Sequence, residues 1–180
     1  MGKSKEEVVK QVMKRIKKND PVAMTHMGET HDREGDYGNA LEYWTKAAKL
    51  GDAAAHCCLG TLYRIGEGVE KDEKKAVYHY EQAAIGGHPV ARDRLASYET
   101  KNRRFERAAK HWIIAANLGH DVSLKHIKDL FMAGIVSKEE YAAALRGYQA
   151  AVNETKNAAR EKGEAFYVRN RNLSKAWVYE

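Results

Sequence analysis

The chain has 180 residues, 43% hydrophobic and 31% charged, which suits one domain of ordinary size with a core and a solvated surface. Its formal charge of +6 sits at the ends, +5 over residues 1–18 and +3 over 156–180, leaving −2 for the body, so basicity is a weak pointer to nucleic acid. No apolar run approaches the roughly 18 residues of a membrane span, and the two cysteines, adjacent as Cys57-Cys58, exclude a disulfide framework.

In chain order, MGKSKEEVVKQVMKRIKKND opens with a capping box, Ser4 to Glu7, and a stripe of Val8, Val9, Val12, Met13 and Ile16. It predicts a basic capping helix over 1–19. The stretch lacks the apolar core of a secretory signal. With no disulfide framework, a cytoplasmic or nuclear protein is expected. Asp20 is a fit N-cap and Pro21 a fit first helical residue. From here to about Ala158 the chain repeats itself.

Three alanine pairs recur, Ala47-Ala48, Ala83-Ala84 and Ala115-Ala116, at spacings of 36 and 32. A bulky aromatic stands three residues before each pair (Trp44, Tyr80, Trp112), and an alanine four before each aromatic (Ala40, Ala76, Ala108). A glycine follows each pair (Gly51, Gly87, Gly119). Met27, Leu59, Leu95 and Ile127 mark equivalent upstream places. Landmarks that move together at this period mean stacked repeats. Each unit reads as two helices. In the central one, Ala55, Leu59, Leu62 and Tyr63 stripe helix A, Gly66 and Gly68 turn the chain, and Asp72 caps helix B with Ala76, Tyr80, Ala83 and Ala84. Such a unit cannot bury its faces alone, so its copies must stack on it. The expected fold is an all-α superhelical solenoid of antiparallel helix pairs. It has about three repeats over 20–158, with capping helices at each end. A second capping box, Ser137 to Glu140, starts a long final helix. Residues 159–180 form a basic, aromatic tail without a clear period. Its Phe166, Tyr167, Trp177 and Tyr179 are expected to dock on an apolar surface.

The segment LGTLYRIGEGVEKDEKKAVYHYEQAAIGG, residues 59–87, resembles the Sel1-like repeat, a relative of the tetratricopeptide repeat. Leu59, Gly60, Tyr63, Gly66, Gly68, Val69, Asp72, Lys75, Ala76, Tyr80, Ala83 and Ala84 stand in step with the family pattern. The flanking units are degenerate: the first lacks the glycine-valine loop, and the third has RLASYETKNRRFERA in its place. Asp20 to about Val152 is also similar to a set of diatom proteins with these repeats. The RING-type zinc domain that often precedes them has no matching Cys/His spacing here. The resemblance implies right-handed stacking and a concave surface that holds protein partners.

Catalytic and metal chemistry finds little footing. His26 and His31 are five apart, which splays them on a helix, and His56, Cys57 and Cys58 are contiguous, so they point in different directions. The glycine-lysine loop IGEGVEKDEKK lacks the phosphate-loop order and interposes acids. No cofactor, metal or small-molecule substrate is expected, and no membrane partner. The chain reads as a non-catalytic scaffold or adaptor for a protein or peptide. The alternative is a nucleic-acid-binding accessory protein using the basic ends.

In related solenoids the partner face lies at fixed offsets from the Leu-Gly landmark. Those offsets give Thr25, Glu29, Asp32 and Arg33 in the first unit and Cys57, Thr61, Arg64 and Ile65 in the second. They give Asp93, Ser97, Thr100 and Lys101 in the third, and Lys125 and Asp129, with Met132 and Ala133, in the capping unit. These residues carry both signs of charge, so a mixed-charge peptide or partner helix fits them.

Overall fold

The computed structural model describes the backbone of residues 5–176, and the side chains of residue 7 and of residues 9–162. Among them the chain forms α1 (Lys5–Ile16), α2 (Pro21–Arg33), α3 (Tyr37–Lys49), α4 (Ala53–Ile65), α5 (Glu73–Ile85), α6 (Pro89–Lys101), α7 (Phe105–Asn117), α8 (Asp121–Met132) and α9 (Lys138–Ala176). Helix A of each unit is α2, α4, α6 or α8, and helix B is α3, α5, α7 or the start of α9. Each helix A packs on its own helix B, each of α3, α5 and α7 also packs on the next unit's helix A, and α9 lies against both α8 and α7. This is an all-α solenoid of stacked pairs.

The 36-residue spacing has a local cause. The turn between A and B is three residues in the first unit, 34–36, and three in the third, 102–104, but seven in the central unit, 66–72. Gly66 and Gly68 take φ of 86° and 68° there, a region that costs a side chain about 1–2 kcal/mol. The third unit turns on Arg103, at φ 58°. Its side chain bears that cost in place of a glycine.

The caps follow the sequence reading in the front half. Asp20 accepts from the Ala23 amide at 3.2 Å, and Asp72 from the Lys75 amide at 2.9 Å. Asp52 accepts from the Ala55 amide at 2.7 Å. Ser137 and Glu140 close their capping box in both directions, at 2.9 and 3.1 Å. The first box rests on Ser4, outside the described residues.

The core is built from the repeat landmarks. Trp44, Tyr80 and Trp112 are all buried, and so are the alanines four before them and the alanine pairs after them. Each aromatic removes roughly 150–250 Å² from water, on the order of 5 kcal/mol of transfer free energy. The ring needs clearance on helix A. A Cβ on Gly28 would stand 2.5 Å from Trp44 Nε1, and one on Gly60 would stand 2.7 Å from the Tyr80 ring. That is the physical content of the Leu-Gly landmark. In the first unit Met24 is buried, while the landmark Met27 is half-buried.

The ends differ. Helix α1 packs on α2, and its Ile16 touches the first core, while Val9 and Met13 stay exposed. Helix α9 covers the last unit with Tyr141, Ala144 and Tyr148. Its backbone then continues as helix to Ala176, although the sequence shows no helical period after about Ala158. The docking expected of Phe166, Tyr167, Trp177 and Tyr179 lies outside the described side chains.

Candidate functional site

Helix A of one unit and helix A of the next flank an open cleft. Between α2 and α4 the cleft holds about 220 Å³, with Trp44 and Leu62 behind it. Of the expected site residues, Glu29, Asp32, Cys57, Thr61 and Ile65 line it. The cleft between α4 and α6 holds about 290 Å³, and Arg64, Ser97 and Lys101 line it over Ala76, Val77 and Tyr80. Eight of the sixteen offset residues thus line two neighbouring clefts.

One offset does not face outward. Thr25, Cys57 and Asp93, two before the landmark, are 3%, 7% and 6% exposed. In these three units the position lies beneath the helix B aromatic, whereas Lys125, at the same offset in the capping unit, is exposed. The Thr25 hydroxyl donates to Asp52 Oδ1 at 2.9 Å, and its carbonyl accepts from Trp44 Nε1 at 3.2 Å. Trp112 Nε1 donates to Asp93 Oδ1 at 2.9 Å. Cys57 forms cleft wall and core together.

The remaining residues divide by length. Thr61, Ser97 and Thr100 turn their hydroxyls back to carbonyls one turn earlier on their own helices, which lowers their readiness to meet a ligand. Thr61 also meets the Tyr80 hydroxyl at 3.2 Å. Arg33 folds onto the Glu29 carbonyl and the Thr30 hydroxyl. Lys101 pairs with Glu73 at 2.6 Å. Lys125, Asp129, Met132 and Ala133 are exposed on or just after α8, away from both clefts.

The offsets miss several lining residues. Glu67 and Lys71 come from the long central turn, Tyr80 from helix B, and Arg94 from the position before the landmark. The charged run GEGVEKDEKK was the available signal, since a turn four residues longer than its neighbours must project somewhere.

The other face carries a pair that sequence spacing could not show. His56 of α4 and His79 of α5 bring their Nδ1 atoms within 3.0 Å. Tyr63 stacks on His79 at 5.7 Å. Burial, then the nearby His56, push the His79 pKa down to about 4, and burial lowers that of His56. His26 instead meets Glu29, and His31 meets Asp36. Among the described residues, no three His, Cys, Asp or Glu side chains group as metal ligands would. The cysteines are free. Burial raises their thiols, Cys57 to about 11 and Cys58 to about 12, so neither is a thiolate at neutral pH.

A profile of the Sel1 repeat matches residues 21–52, 53–88 and 100–120. The chain carries Sel1 repeats. Among solved structures it is similar to a Sel1 repeat protein from Oxalobacter formigenes, with 29% identity and a TM-score of 0.68, covering 82% of this chain and 64% of that one. It also shares the fold of c5321, a protective antigen of uropathogenic Escherichia coli described as displaying an SLR fold. There identity is 22%, the TM-score is 0.66, and coverage is 91% of this chain and 37% of that one. The chain therefore spans less than two thirds of the length of either. None of the curated proteins matches it. Sel1 repeats are protein-interaction modules. The third match begins only at Thr100, so most of helix A of that unit, α6, lies outside it, although the structure completes the helix pair. No described helix is long and apolar enough to cross a membrane.

Proposed function

We propose that this Sel1-repeat chain is a non-catalytic scaffold or adaptor that holds a segment of a partner protein against its helix A face. The observation that carries the reading is the pair of adjacent open clefts along that face, walled by charged side chains over an apolar floor. The large aromatics of the repeat are consumed in packing. The clefts keep polar groups that the fold does not need, and a partner segment would satisfy them. The non-catalytic part rests on chemistry: the thiols are protonated, and no nucleophile, base and orienting group converge in either cleft.

The test is affinity capture with mass spectrometry, wild type against a variant reversing Arg33, Arg64 and Lys101 together. Wild type should retain partners that the variant loses. An unchanged captured set overturns the assignment of this face. Because all three side chains are exposed, the variant should keep its helical circular dichroism and melting temperature.

A further inference from the structure

The two clefts differ in sign. The α4/α6 cleft gathers Arg64, Lys71, Arg94 and Lys101 around a single carboxylate, Glu73. Glu73 is held by Lys101 at 2.6 Å. Arg94 reaches Asp93 only at 3.9 Å, and Asp93 is engaged by Trp112. Arg64 and Lys71 have no ion-pair partner among the described residues. The α2/α4 cleft holds Glu29, Asp32 and Glu67, and no lysine or arginine lines it. Glu29 meets His26 at 3.1 Å. The clefts thus carry about three net positive and three net negative charges on opposite flanks of α4.

A ligand that crosses α4 feels both fields. A segment of one sign gains in one cleft and loses in the other. Only a segment with its charges in two separate blocks gains in both, so the arrangement selects by charge order as well as by charge. A helix is about 10 Å across, and extended chain advances about 3.3 Å per residue. The blocks must then stand roughly three to four residues apart.

We infer that the helix A face takes an extended segment of a partner protein whose Asp/Glu side chains enter the α4/α6 cleft and whose Lys/Arg side chains, three to four residues away, enter the α2/α4 cleft. This rests on the helix A face being the partner surface.

The probe is a fluorescein-labelled peptide with a lysine pair and a glutamate pair separated by three alanines, read by fluorescence anisotropy with the full chain. A peptide of the same composition with alternating charges is the control. The block peptide should bind at least about fivefold tighter, since it places matched charges in both clefts where the alternating peptide places mismatched ones. Arg64→Glu with Lys71→Glu should weaken it about tenfold, and Glu29→Lys with Asp32→Lys by a similar factor. All four reversals together should restore part of the binding, because the clefts then carry about one net negative and one net positive charge and the segment turns end for end. Equal binding of block and alternating peptides overturns the inference, as does indifference to either pair of reversals. A phosphoserine pair binding more than tenfold tighter than the glutamate pair would overturn the carboxylate assignment in favour of phosphate. If the block peptide fails while partner capture still depends on the face, the charge order falls and the scaffold reading stands. If capture is also indifferent, both fall.

Discussion

The first two units and the third solve the same packing problem differently. Units one and two set an aromatic ring against a glycine on helix A, Trp44 on Gly28 and Tyr80 on Gly60. Unit three has Ala96 at that place, fully buried and in one cluster with Trp112. The hydrogen bonds change with it. Trp44 donates to a helix carbonyl, whereas Trp112 donates to the Asp93 carboxylate. The caps change too. Asp52 bonds the start of α4, while His88 and His120 make no side-chain cap bond to α6 and α8. The glycine is therefore a clearance device. Once the indole is anchored to a carboxylate, a methyl group fits under it.

Substitutions at the clearance positions should act most strongly. Gly60→Val is expected to cost about 3 kcal/mol by overpacking against Tyr80, while Ala96→Gly should cost only about 1 kcal/mol of helix propensity. Gly60→Ala is the sharper case. Propensity alone would raise stability by roughly 1 kcal/mol, and clearance must reverse that sign. A higher midpoint in urea for Gly60→Ala would break the comparison.

The anchors come next. Trp112→Phe leaves the buried Asp93 carboxylate without its donor and should cost about 1–3 kcal/mol beyond the lost ring area. Trp44→Phe removes a second bond from a carbonyl within a helix, so its loss should be nearer to about 1 kcal/mol. Equal losses in denaturation would show that the carboxylate anchor has no special role.

Caps should give smaller differences. Asp52→Ala is expected to lose about 1 kcal/mol. His88→Ala should be nearly silent, and His88→Asp should gain about as much as Asp52→Ala loses. A thermal shift series resolves the three, and a large loss from His88→Ala would contradict the absence of a cap bond.

The gentlest contrast is with pH. The place held by Met24 and Tyr43 in unit one holds His56 and His79 in unit two, and Arg92 and His111 in unit three. Burial is the main cause that lowers all three histidines, with His56 acting on His79 and Arg92 on His111. The groups around His79 are His56, Tyr63 and Tyr78, and Asp52 favours charge on His56. Between the ordinary histidine value near 6.5 and about 4, the unfolded chain binds protons that folded His79 refuses. Stability then falls as pH drops through that window. His79→Gln should flatten the slope measured by urea unfolding at about pH 7, 6 and 5. An unchanged slope would show that the pair does not carry it.

Much of this molecule was legible as pattern. The paired helices, the turn at Gly66 and Gly68, the caps at Asp20 and Asp72 and the box at Ser137 follow from short-range rules, because each involves residues within one turn. Residues such as Glu29, Arg64 and Lys101 were legible as a face, because they keep fixed offsets in every unit. Thr25, Cys57 and Asp93 were not. Their offset is regular, but the ring lying over it comes from helix B, about 19 to 23 residues later in the chain.

The sequence by itself determined the repeat, since co-moving landmarks leave few ways to bury the alanines and aromatics other than stacking. Only the tertiary structure decided which polar side chains those aromatics cover, which clefts stay open and how charge divides between them. The reason is that stacking depends on periodicity, which is local and redundant. Cleft charge depends on which side chains from α2, the central turn, α4 and α6 meet across a gap, and no single period in the chain encodes that meeting.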